Sequence, residues 1–124
     1  MQIIATISVI FVAVVHIIIS VVEIFLWGNP FVHQRLGFTA DGAELVAPIV
    51  KNAGLYNSFI AAGLIWGAFA KSDFLSVRVF FLVCVVIAGI FGALTLKKTT
   101  FVLQTLPASI ALIFVWLAFI EAKG

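Results

Sequence analysis

The chain has 124 residues, of which 65% are hydrophobic and only 10% charged, with a net charge of +2. A mean hydropathy of +1.32 and an apolar share far above the roughly 45–50% of soluble domains exclude a water-soluble fold. The seven basic residues stand singly or in one pair, which excludes the clustered patch of a nucleic-acid binder, and the single cysteine, Cys84, excludes an internal disulfide and a Cys-based zinc site.

About 20 apolar residues rising 1.5 Å each cross a ~30 Å hydrocarbon core, and four runs meet that length. The first predicted helix covers about 2–27 and ends at "WGNP", where Gly28, Asn29 and Pro30 stop it and Trp27 suits a membrane interface. It lacks the basic n-region and cleavage motif of a signal peptide, so it is expected to remain as a span. Residues 28–50 form the one longer loop, in which Asp41 to Val50 could make a short amphipathic turn or helix before Pro48. A second helix follows over about 48–70, "KSD" turns the chain into a third over about 74–96, and "KKTT" leads into a fourth over about 99–120. Thr99 or Thr100 is a plausible N-cap there, and Pro107 should kink the last helix by removing a backbone bond to Leu103.

No repeat or linker interrupts the chain, which predicts a single integral membrane domain over residues 1–124. Short turns force antiparallel neighbours. The expected architecture is therefore all-α, a four-transmembrane-helix antiparallel bundle with one longer loop between helices one and two. Basic residues divide almost evenly between the two faces, with a faint lean towards the 28–50 loop being cytoplasmic.

His16, Ser20, Glu23 and Trp27 are spaced four, three and four apart and so share one stripe of the first helix. A charged group at mid-membrane costs about 2.5–3.5 kcal/mol on insertion scales, and such groups face the interior with partners. Glu23 could equally be a wetted end-of-helix carboxylate and His16 a satisfied core histidine. On the second helix Asn52, Tyr56, Gly63 and Gly67 fall near one stripe, while Asn57 points about 140° away. Gly63 and Gly67 form a GxxxG, whose default meaning is close helix packing. Gln104 lies beside Pro107, where a glutamine more often glues helices than binds a ligand. Glu23, Asn52, Tyr56, Asn57, Thr95 and Gln104 all belong to the same half of the membrane, which favours a pocket opening to one face, with His16 as its floor and the 28–50 loop as its lid.

The blocks "VHIIISVVEIFLW", "KNAGLYNSFIAAGLIWG", "VVIAGIFGALTL" and "VLQTLPASIAL" resemble, over nearly the whole chain, a bacterial and fungal membrane family known as domain of unknown function thirteen-oh-four. The Asn-Ala-Gly-Leu-Tyr-Asn block at 52–57 is the most specific part. The resemblance implies a four-helix integral membrane protein, in the bacterial cytoplasmic membrane, and supplies no activity. His16, Glu23, Asn52, Tyr56, Asn57 and Gln104 match its polar positions.

The reading that follows is a small membrane protein with a one-sided polar pocket that binds or converts a small amphiphile or lipid. Glu23 and His16 would handle protons, and Asn52, Tyr56, Asn57 and Gln104 would orient a polar head. A proton-coupled small-molecule transporter working as an oligomer, or an accessory or scaffold protein joined through GxxxG contacts, are the alternatives. The expected partners are the lipid bilayer, a small amphiphilic ligand and a second copy of the chain. No cofactor is expected. No metal is expected either, since His16 and Glu23 supply at most two of the three or four ligands that zinc requires and His33 lies in the loop.

Overall fold

The computed structural model describes residues 1–124, and every regular element in it is helical. Helix α1 (Gln2–Val21) runs into a π-helical turn (Val22–Leu26). A short α2 (Pro30–Arg35) and a long α3 (Ala40–Phe69) follow, then α4 (Phe74–Thr95), a second π-helical turn (Phe101–Thr105) and α5 (Leu106–Lys123).

Three helical stretches, not four, are long and apolar enough to cross a membrane: Gln2–Leu26, Phe74–Thr95 and Phe101–Lys123. They make this an integral membrane protein, and they correct the expected four-transmembrane-helix bundle. The helix that fails is α3. At 30 residues it is long enough, but Asp41, Glu44, Lys51, Asn52, Asn57 and Ser58 occupy its first two thirds. Its uninterrupted apolar run, Phe59–Phe69, has eleven residues and rises only about 16 Å, half of a hydrocarbon core.

The expected longer loop is also corrected, because most of residues 28–50 are helical. Asn29, which ends the first helix, also begins the next: its side-chain oxygen accepts from Phe31 N–H at 2.9 Å, and Pro30 occupies the first helical position, where its missing N–H costs nothing. Helix α2 closes with Gly37 at φ +82°. Phe38 N–H donates to His33 C=O at 3.0 Å and Gly37 N–H to Gln34 C=O at 3.0 Å, the paired bonds of a Schellman ending. Thr39 then caps α3, its hydroxyl accepting from Gly42 N–H at 3.2 Å. Pro48 does not bound a helix, as expected, but sits inside α3 on an exposed face. Pro107 stands at the start of α5, directly after the π-helical turn, whose wider winding accommodates the proline's lost hydrogen bond and ring.

The chain divides into two compact units, Met1–Val15 with Ile60–Gly124, and His16–Phe59. In the first, Ala5, Val9 and Val12 of α1, Leu64 and Ala68 of α3, Leu82 and Val85 of α4, and Ala108, Ala111, Val115 and Ala118 of α5 form the core. Their three- and four-residue spacings put each set on one helical face. Small residues let the backbones approach: the Phe81 ring occupies the space a side chain at Gly63 would fill, and Thr105 does the same at Gly89. Large apolar side chains such as Ile3, Ile7, Phe11 and Phe91 point outward, a surface suited to lipid and not to water.

Arg78 is the polar centre of this unit, only 5% exposed. Its Nε donates to Gly67 C=O at 2.7 Å, and its Nη2 to Ala68 C=O and Thr6 Oγ1, both at 3.0 Å. The guanidinium also lies 5.1 Å from the centre of the Phe74 ring. It thus closes the C-terminal end of α3, where unpaired carbonyls and the helix dipole favour a cation.

Candidate functional site

The His16–Phe59 unit holds five of the six anticipated residues. The stripe on the first span is buried along most of its length: His16 is 1%, Ser20 6% and Trp27 3% exposed, and Glu23 is half-buried. Glu23 lies in the π-helical turn, a distortion found often at functional positions. Its Oε2 accepts from Asn57 Nδ2 at 2.9 Å, and the same amide nitrogen reaches Ala53 C=O at 3.2 Å. The close approach that permits this contact comes from Gly54, where an added Cβ would lie 2.8 Å from Ile24 Cγ1, 2.9 Å from Glu23 Cβ and 3.2 Å from Ser20 O.

Asn57, the asparagine set off from the Asn52–Tyr56 stripe, is therefore the one paired with the carboxylate. Asn52 and Tyr56 are exposed, and the Tyr56 ring meets Phe59 edge-on at 5.9 Å. Gln104 belongs to the other unit, half-buried on the second π-helical turn, with its Cβ against Gly89. Beside it Thr105 Oγ1 donates to Val86 C=O at 3.1 Å, which places Gln104 within a helix-packing contact.

Trp27 is buried at the end of the first span: its indole N–H donates to Ala43 C=O at 2.8 Å, and Phe38 packs edge-on at 5.4 Å between ring centres. This contact closes one wall of a cavity of about 320 Å³. Trp27 and Gly28 line it from the end of the first span, Pro30 and His33 from α2, and Ala40, Ala43, Glu44, Ala47 and Lys51 from α3. The three alanines recur on one face of α3 and leave the space that larger side chains would take.

His33, set aside as a loop residue, is 3% exposed, and neither ring nitrogen has a hydrogen-bond partner. Each such orphaned group costs about 1–3 kcal/mol. No group of three or more His, Cys, Asp or Glu side chains could hold a metal ion. The readable signal for His33 was the Asn29-Pro30 start and Gly37 end of a short helix, which together turn a loop position into a packed one.

The chain belongs to a family described as "Protein of unknown function (DUF1304)", whose model matches residues 10–116. No curated protein and no solved structure matches it.

Proposed function

We propose that this member of the DUF1304 family binds a small amphiphile beside the Glu23–Asn57 pair and moves a proton to or from its polar head. The observation that carries the reading is the 2.9 Å bond from Asn57 Nδ2 to Glu23 Oε2 inside a membrane-spanning stretch. A carboxylate there is expensive, and intramembrane ionisable groups generally mark a functional site. The amide occupies one carboxylate oxygen and fixes its direction, which leaves the carboxyl group as acid or base for a bound head. His16, seven residues earlier in the same unit and about 10 Å deeper along the helix, is a second proton-handling group. Asn52 and Tyr56, exposed on α3, meet the head where it enters from the bilayer.

The test is mass spectrometry of small molecules retained by the purified protein, compared with Glu23→Gln, Asn57→Leu and His16→Ala variants. Loss of a retained amphiphile with Glu23→Gln and Asn57→Leu, in protein that keeps its helix content, supports the reading. Identical retention and turnover in all variants would refute it.

A further inference from the structure

The cavity between α2 and α3 has a second chemistry that Glu23 does not touch. Its volume, about 320 Å³, lies at the small end of ligand pockets, and its walls are alanine methyls, Pro30 and the face of Trp27. The indole N–H is already committed to Ala43 C=O, so three polar side chains remain: His33, Glu44 and Lys51. Both nitrogens of the buried His33 ring are unpartnered, and a neutral imidazole offers one donor and one acceptor. The large majority of buried side-chain polar atoms in folded proteins are paired, so this ring asks for a partner with both capacities.

Glu44 and Lys51 stand seven residues apart on α3, within about 20° of one face and about 10.5 Å along the axis. No ion pair joins them. Opposite charges held at two ends of one cavity fit a ligand that carries both signs itself. Trp27 and Gly28 follow directly on the span that ends at Leu26, which puts the cavity where lipid headgroups meet the protein.

We propose that this cavity binds a phosphoethanolamine group. Lys51 and the His33 N–H hold the phosphate oxygens, and the ammonium donates to the Glu44 carboxylate and to the other His33 nitrogen. The charge order also predicts discrimination. A glycerol headgroup offers Glu44 no cation, and a trimethylated ammonium offers it no N–H donor.

The test uses the full chain in micelles doped equally with phosphatidylethanolamine, phosphatidylglycerol and phosphatidylcholine, with bound lipid counted by native mass spectrometry. The expected result is at least tenfold enrichment of phosphatidylethanolamine, falling at least tenfold in Glu44→Gln and in Lys51→Gln. Both positions are exposed, so those variants should keep wild-type helix content. Ala47→Trp, which fills the cavity, should abolish enrichment. Glu23→Gln should leave it unchanged, which separates this site from the amphiphile reading above. Competition by free phosphoethanolamine would identify the group itself as sufficient, and enrichment that resists it would identify the lipid as the source; each supports the site. Equal retention of the three lipids, or enrichment that survives Glu44→Gln, Lys51→Gln and Ala47→Trp, would overturn it.

Discussion

Replacing Arg78 by alanine should be the most damaging single change in the Met1–Val15 and Ile60–Gly124 unit. Three hydrogen bonds from the guanidinium are lost at once, to Gly67 C=O, Ala68 C=O and Thr6 Oγ1. Hydrogen bonds to charged groups contribute about 1.5–3 kcal/mol each, although bonds that share one side chain do not add. The two carbonyls come from the last turn of α3, where no intrahelical donor replaces the arginine. A loss of about 2–6 kcal/mol follows, because the two carbonyls left without donors cost about 1–3 kcal/mol each. Arg78→Lys keeps the charge but not the fork that spans neighbouring carbonyls, and should fall between alanine and wild type. Thr6→Val removes one neutral partner and should cost about 1 kcal/mol. The assay is reversible unfolding in mixed micelles, followed by far-ultraviolet circular dichroism, with the Arg78→Ala/Thr6→Val double variant closing the cycle. An Arg78→Ala cost below about 1 kcal/mol, or strict additivity with Thr6→Val, would show that the end of α3 does not depend on this cap.

Two further outcomes are expected from the other unit. Gly54→Ala should destabilise by about 1–3 kcal/mol, the usual range for overpacking, because its Cβ would meet Ile24, Glu23 and Ser20 O; Gly54→Leu should also part Asn57 from Glu23, detected as a smaller loss on adding Asn57→Leu to it than on adding Asn57→Leu to the wild type. Trp27→Phe keeps much of the ring packing but loses the indole bond to Ala43 C=O, and should lower stability by about 1–2 kcal/mol in thermal unfolding; an unchanged midpoint would remove Trp27 from the frame of the cavity.

The spans were legible where composition is uniform. Gln2–Leu26, Phe74–Thr95 and Phe101–Lys123 carry long apolar runs, and hydropathy measures the property that lets them enter lipid. Helix α3 shows where that measure fails. Glycines, alanines and an apolar second half made its sequence resemble a span, yet its first two thirds are polar enough to need other surroundings. Length alone did not separate a 30-residue helix from a membrane crossing. The 28–50 stretch reads as a loop for a different reason: Gly28, Asn29 and Pro30 stop the first helix, yet Asn29 and Pro30 also start the next one, and Gly37 and Thr39 finish and begin helices through local hydrogen bonds.

Polar side chains were legible in proportion to their contrast. His16 and Glu23 stood out because isoleucines and valines surround them, and helical spacing alone put them on one stripe. Asn57 could not be matched to Glu23 from the sequence, because the choice between it and Asn52 depends on how Gly54 lets the two segments approach. Arg78 and His33 raised no contrast at all. One stands near a turn and the other in a polar stretch, yet they are 5% and 3% exposed. Burial there is produced by helix ends: Arg78 goes where α3 leaves carbonyls without donors, and His33 goes under α2 because Asn29 and Gly37 fix that helix at six residues. In an apolar chain the scarce polar groups are thus divided between two tasks. Some satisfy the backbone where helices stop, as Arg78 does. Others do not: Glu23 has one oxygen committed to Asn57, and His33 has neither nitrogen paired.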